Sequence, residues 1–484
     1  MLMSTNSLTL GKETTRDPAN RWMPSHDDPS GLLVGVALTA TAILAVLLFI
    51  YPSLKLLHCS SSAAGEGRWL IAVFSIFFTL VMALTGVRWC SCFAMAYMAY
   101  RRDRQPRPPV PHHWPRISIL VPAYNEGETI EGALESLLQN DYPYYEVIVV
   151  DDGSSDDTFA LARKFEGRHG NCTVRVHSKP NGGKWSALNF AFQCSTGEFI
   201  LCVDADSRLG PGSMYRLAVR LSDPRVDAVA GQVQVRNQAN VLTRLQALEY
   251  LMSNGLMRMA QSLSGTVLII PGPIGLFRRG VLEEVFTRFG LSEVSKKAGH
   301  VAGPFEGDTF AEDSDLSLTI LCLGRRIVYE PEAISYTKAP VTTFRLLNQR
   351  YRWQRGNIQV LRKFVRRVRS NPEMLSLRLI AWIAMTYLVE LSFLPIANII
   401  GVVFFVMSIS SGVASSGVAS SLLGWFLAFM LLNVNAAFFF ASFHRHTQKV
   451  LLVLPFYDLY HDLILNSCLF IAVLDEIRGV GMRW

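Results

Sequence analysis

The chain has 484 residues, half of them hydrophobic and 18% charged, with a mean hydropathy of +0.25, which excludes an ordinary soluble protein. The net charge of +7 does not mark a nucleic-acid binder, because the basic residues gather beside apolar runs: Arg101, Arg102, Arg104 and Arg107 in one place, Lys363, Arg366, Arg367 and Arg369 in another. The eight cysteines show no ligand spacing, and a disulfide framework or zinc site is not indicated.

Residues 1–30 are polar, hold Pro18, Pro24 and Pro29, and read as a loose cytoplasmic tail. The apolar run that follows is too long and too far from the start for a signal peptide. Two apolar runs within 31–100 are each long enough to span a bilayer and predict a transmembrane hairpin. The second ends in RRDRQPRPP, which places the chain beyond it in the cytoplasm. From Arg116 the texture becomes that of an α/β domain, with an extent of 116–345. ISILVPA, EVIVVDD, TVRVHSK, EFILCVDAD and DAVAGQVQV read as buried strands separated by helices, which predicts a mostly parallel sheet with helices on both faces. Asn125, with Glu128 three residues on, has the pattern of a capping box for a helix over 129–139.

Residues 346–375 are basic and amphipathic and predict an interfacial helix. Arg355 there reads as a membrane-facing cation. The region 376–484 carries further apolar runs, so the whole chain is expected to cross the membrane about five times. The last run holds Pro455, Asp458, His461 and Asp462. It reads as a broken or re-entrant segment whose polar groups either line a path for hydroxylated cargo or hydrogen-bond locally.

Chemistry concentrates at strand ends, where open α/β sheets bind ligands. PAYNE (122–126) and DDGSSDD (151–157) supply Tyr124, Glu126 and Asp152. NGGKWSALN (181–189) places a glycine pair before Lys184 and a helix, a suitable arrangement for phosphate, although the spacing is not that of a Walker A loop. VDAD presents Asp204 and Asp206, one residue apart, as hard oxygen ligands for Mg²⁺ or Mn²⁺ at a diphosphate. AED (311–313) and QRYRW (349–353) complete the series.

In this order and spacing, the motifs resemble those of the membrane-embedded family 2 glycosyltransferases, a group that includes bacterial cellulose, hyaluronan, chitin-oligosaccharide and poly-N-acetylglucosamine synthases. The resemblance covers about 116–357 and the flanking apolar segments. It implies a GT-A-type cytoplasmic domain inserted between transmembrane helices. It also implies a UDP-sugar donor side made by Tyr124, Glu126, Asp152, Lys184, Asp204, Gln349 and Arg352. Asp206, with Asp204, would hold the metal. Asp313 would be the general base, with Glu312 beside it, and Ala311 stands where relatives carry threonine. Trp353 would meet the acceptor sugar, as would Pro271 and Gly272 in IIPGPIGLFRR (269–279). The activity implied is processive, inverting polymerisation of a sugar into an exported β-linked polysaccharide, with UDP-N-acetylglucosamine favoured and UDP-glucose next. The growing chain, membrane lipids and an accessory subunit are the implied partners. The alternative is a non-processive transferase that adds one sugar to a lipid or lipid-linked acceptor.

Overall fold

The computed structural model describes residues 68–103, 113–289, 301–393, 430–437 and 445–481, with scattered positions within 43–58 and 396–428 and Phe439. Its centre is one sheet of nine strands: β1 (Ile117–Ala123), β2 (Tyr145–Asp151), β3 (Gly167–His169), β4 (Cys172–Ser178), β5 (Phe199–Cys202), β6 (Arg208–Leu209), β7 (Ala228–Val235), β8 (Gly275–Arg278) and β9 (Ile327–Thr337), in the order β3-β4-β2-β1-β5-β8-β7-β9-β6. Every residue of β1 and β2 is buried, as their continuous apolar runs require of strands covered on both faces.

Strands β4, β2, β1 and β5 are parallel neighbours, with Ala123 beside Asp151 and Asp151 beside Ser178. Parallel pairing brings their carboxyl ends to one edge, so the PAYNE, DDG and DAD segments emerge together. The second half of the sheet departs from the mostly parallel expectation. β8 runs antiparallel to both β5 and β7, β6 antiparallel to β9 and β3 antiparallel to β4, so four of eight pairings are antiparallel and the sheet is mixed. An apolar run reports burial but not direction, and β8 is a four-residue strand whose run reads the same either way.

The helices are α1 (Arg68–Asp103), α2 (Ile130–Leu138), α3 (Thr158–Arg163), α4 (Lys184–Cys194), α5 (Ser213–Leu221), α6 (Val241–Glu249), α7 (Gly255–Ser264), α8 (Arg279–Phe289), α9 (Glu312–Cys322), α10 (Thr343–Ser370), α11 (Leu377–Ile383) and α12 (Ser467–Ile477). A π-helical turn, Tyr250–Asn254, joins α6 to α7. The predicted cap at Asn125 is not formed. Helix α2 is preceded by Thr129, whose hydroxyl donates to Glu126 Oε2 at 2.6 Å, while Asn125 takes φ 54° and its Oδ1 accepts from the Ser155 amide. Asn125 therefore ties the PAYNE loop to the DDGSSDD loop.

Among the described residues, one helix segment, Thr79–Asp103, is long and apolar enough to cross a membrane. A second candidate is the pair Val450–Tyr460 and Leu463–Ile477, bent by 42°, which agrees with a broken segment. In it Asp458 accepts from Asn433 Nδ2 at 2.7 Å, a bond to the helical stretch 25 residues earlier rather than one within the segment. The apolar run near 31–52 lies largely outside the described residues, and that near 422–443 lies partly outside them. Helix α1 packs along α7, and its end is fastened to the sheet domain: Arg102 donates to the Leu263 carbonyl at 3.0 Å, and Asp103 pairs with Arg220.

Candidate active site

At the first strand ends the geometry is set by one buried carboxylate. Asp152 follows β2 and is engaged on every side: Lys179 Nζ at 2.5 Å, the Gly182 amide at 3.1 Å and the Gly183 amide at 2.7 Å. Lys179 itself follows β4, the neighbour of β2. Asp152 thus shapes the NGG loop that leads into α4. Gly153 sits at φ 74°, and a Cβ there would lie 2.9 Å from the Asn181 amide, so glycine is required where these loops meet. Tyr124 stands beside them, 51% exposed, with its ring open to stacking.

The next strand end gathers the charges. Lys184, the first residue of α4, pairs with Asp204 Oδ1 at 2.8 Å and with Glu312 Oε1 at 3.1 Å. Burial opposes its charge, but Asp204, Glu312 and Asp313 outweigh that and hold the ammonium protonated well above the usual lysine range. Glu312 and Asp313 open α9, where the positive end of the helix favours carboxylates. The Asp313 carboxyl is pushed up to about 6, first by burial and then by Glu312, against the pull of Lys184. Ser317 fixes the opposite wall: its hydroxyl donates to the Asp313 carbonyl at 2.6 Å and accepts from the Ile270 amide at 2.9 Å. That draws the 269–274 segment over the cleft, which Lys184, Asp204, Pro271, Gly272, Glu312 and Asp313 line together. A Cβ at Gly272 would come within 2.7 Å of Lys184 Nζ and 3.3 Å of Asp204 Oδ2, so glycine permits this approach.

Asp206 lies under the same edge. Ser207 Oγ donates to it at 2.9 Å and Thr337 Oγ1 is 3.4 Å away. Its carboxyl is raised by burial and by Asp204; that of Glu126 is raised by burial and by Asp206 and Asp204, against the donation from Thr129. Asp204 bears on both the Asp206 and the Glu126 carboxyl, so three groups of the hard-oxygen type that a divalent cation takes stand within reach of one another's charge. A second acidic group, Glu306, Asp308 and Asp315, has metal-like spacing, but Lys363 already pairs with all three, at 2.5 Å from Asp308 and 2.7 Å from Asp315. Lys363 and Arg367, which also pairs with Glu306 and Asp315, are therefore internal ties rather than a membrane flank.

The QRYRW residues lie on α10. Trp353 is 40% exposed and stacks on Tyr250, ring centroids 6.2 Å apart. Arg352 is exposed and makes no ion pair among the described residues. Gln349 Oε1 accepts from Arg350 at 3.1 Å. Arg355 corrects the membrane-facing expectation: it is buried, pairs with Glu476 at 2.7 Å and donates to the Val480 carbonyl. At Gly356 the helix backbone comes so close to the AED loop that an added Cβ would lie 2.7 Å from the Ala311 Cβ. Sequence reasoning missed Lys179, Glu249, Tyr250, Arg350 and Glu476. Their partners lie on other elements, up to 211 residues away in the case of Glu249 and Tyr460, and no local spacing announces such pairs.

Residues 118–286 match glycosyl transferase family 2. A poly-beta-1,6-N-acetyl-D-glucosamine synthase of Staphylococcus epidermidis is 32% identical over 61% of this chain and 69% of its own length. The Staphylococcus aureus (strain COL) synthase of the same name is 32% identical over 51% of this chain and 55% of its own. Among solved structures, the mannosyltransferase PcManGT from Pyrobaculum calidifontis, in complex with GDP-Man and Mn²⁺, aligns with a TM-score of 0.56 over 84% of this chain and 99% of its own at 22% identity, a likeness of fold. The ordered motifs, the mixed GT-A-like sheet and the identity to these synthases agree: the chain belongs to the family 2 glycosyltransferases and is related to the poly-N-acetylglucosamine synthases.

Proposed function

We propose that the protein is a processive, inverting membrane β-glycosyltransferase that polymerises N-acetylglucosamine from UDP-N-acetylglucosamine and exports the product. The observation that carries this reading is Lys184 bridging Asp204 and Glu312, which brings the diphosphate motif and the base motif into one cleft. The sugar follows from the kinship with the staphylococcal synthases.

In the reaction, an acceptor hydroxyl attacks the anomeric carbon from the face opposite UDP. The new glycosidic bond forms as the bond to UDP breaks, and the electron pair leaves with the diphosphate. Asp313 takes the hydroxyl proton, help worth roughly 10²- to 10⁴-fold. Asp206 and Asp204, with Glu126 nearby, would hold Mg²⁺ or Mn²⁺, which neutralises charge on the departing diphosphate. Lys184 and Arg352 add positive charge on the same side. Tyr124 and the loop shaped by Asp152 receive the uridine; Trp353, Pro271 and Gly272 receive the acceptor. A single displacement converts an α-linked donor into a β-linked product.

The apolar α1, the bent C-terminal pair and the basic outer face of α10 support a catalytic domain held at the cytoplasmic side of the membrane, with lipids and an export subunit as partners. The test is UDP release by protein in liposomes with Mg²⁺ or Mn²⁺, offered UDP-N-acetylglucosamine, UDP-glucose and UDP-glucuronate singly and in pairs. Polymer from the first donor alone is expected. Polymer only from another donor or from a pair corrects the sugar, and a product one sugar longer than a lipid acceptor overturns processivity.

A further inference from the structure

Among the described residues Arg350 is the largest side chain to be almost completely buried, 2% exposed, and it directly follows Gln349 in the Q-x-x-R-W segment. Its Nη2 pairs with Glu249 Oε2 at 2.8 Å, and the same oxygen accepts from the Tyr460 hydroxyl at 2.7 Å. Its guanidinium lies 4.1 Å from the centre of the Trp353 ring and 5.5 Å from that of Tyr250. These contacts join four stretches: the end of α6, the π-helical turn, α10 and the bent apolar segment containing Tyr460. The turn is pinned as well: Gln232 Nε2 donates to the Tyr250 carbonyl at 3.2 Å, and Gln232 Oε1 accepts from Tyr329. Trp353 is the exposed member of a stack whose other members are buried.

A buried ion pair gains little over an apolar substitute, whereas a planar cation held against two aromatic faces fixes their relative pose. We infer that Arg350, held by Glu249 and Tyr460, is a positioning residue that sets the Trp353–Tyr250 pair as a rigid stacking platform for the pyranose ring of the acceptor. The bent C-terminal segment thereby takes part in acceptor recognition through one hydroxyl. This rests on the proposed function for the identity of the acceptor as a sugar chain and for its meeting Trp353.

The test uses full-length protein in liposomes and two readouts: UDP binding, and binding of a β-1,6-linked N-acetylglucosamine oligosaccharide measured without turnover. Tyr460→Phe, which keeps the ring, is expected to weaken oligosaccharide binding several-fold, and Arg350→Lys about tenfold, the scale of a lost hydrogen bond to a charged group. Both should leave UDP binding unchanged, raise the acceptor KM more than they lower kcat, and have no further effect on acceptor binding in a Trp353→Ala background. Unchanged oligosaccharide binding in both variants overturns the inference. So does a loss of UDP binding in step with it, since that marks a general structural role. Wild-type protein that binds the oligosaccharide but turns over no UDP-sugar refutes the proposed activity and leaves the platform to be judged by the binding arm alone.

Discussion

The half of the site proposed for the donor and the half proposed for the acceptor are built by different means. On the donor side, short loops leave the ends of parallel strands, and neighbouring strands bind their loops to each other: Asp152 grips Lys179 and the Gly182 and Gly183 amides, and Asn125 links to Ser155. On the acceptor side, long helices are joined by buried charges drawn from distant stretches: Arg350 to Glu249, Arg355 to Glu476, Lys363 to Glu306. A nucleotide is the same at every turnover and suits a site fixed by its own loops. An acceptor site beside apolar segments is fixed instead by the way those segments dock.

If this contrast holds, donor binding and acceptor chemistry should be separable by mutation. The largest effect is expected at Asp313. Asp313→Asn should lower transfer by roughly 10²-fold or more while UDP affinity, measured by calorimetry, stays within a factor of two or so. Normal polymer output from this variant would remove Asp313 from the role of base. Next comes Glu476→Ala, which strands the buried Arg355 and should cost about 3–5 kcal/mol, read as a fall in the thermal midpoint of the full chain. A midpoint unchanged by this variant would mean that the docking of α12 on α10 does not rely on charge.

The pH dependence sharpens the comparison. Asp313 must be ionised to accept a proton, and its carboxyl is raised to about 6. Transfer should therefore fall as pH drops through about 6, with half the maximal rate near that value. Replacing Glu312 with Gln removes a carboxylate that raises Asp313 and should move this limb to lower pH; a limb that stayed put would point to another group. Because the Asp206 and Glu126 carboxyls are also raised, protons compete there with a divalent cation. The concentration of Mn²⁺ needed for half-maximal rate should thus rise as pH falls, and a pH-independent requirement would remove these carboxylates from the metal site. The smallest effect is expected from Gly272→Ala: its Cβ crowds Lys184 and Asp204, and a few-fold loss in kcat with little change in stability is expected. Unaltered kinetics would show that the 269–274 segment can yield.

The strands and the acids at their carboxyl ends were largely legible in the sequence, since an apolar run followed by an acid shows both the strand and what stands at its end. EFILCVDAD led to β5 and Asp204, and EVIVVDD to β2 and Asp152. The direction of β8 was not legible, because GLFR is buried whichever way it runs. Nor was the inward turn of Arg355 and Lys363: a basic helix beside apolar segments looks the same in sequence whether its cations face lipid headgroups or acids more than 40 residues away, and only the docking of α9 and α12 decides.

The backbone contact between Gly356 and Ala311 has a consequence for how this lineage can vary. The loop that carries Asp313 and the helix that carries Trp353 touch there with nothing but hydrogen and a methyl group between them. Any side chain at 356 would press on that loop's backbone and on the Ala311 methyl. The residue at 356 is thus held to glycine for as long as the loop keeps this seat, and a change far from any charged group can still disturb the acid at 313.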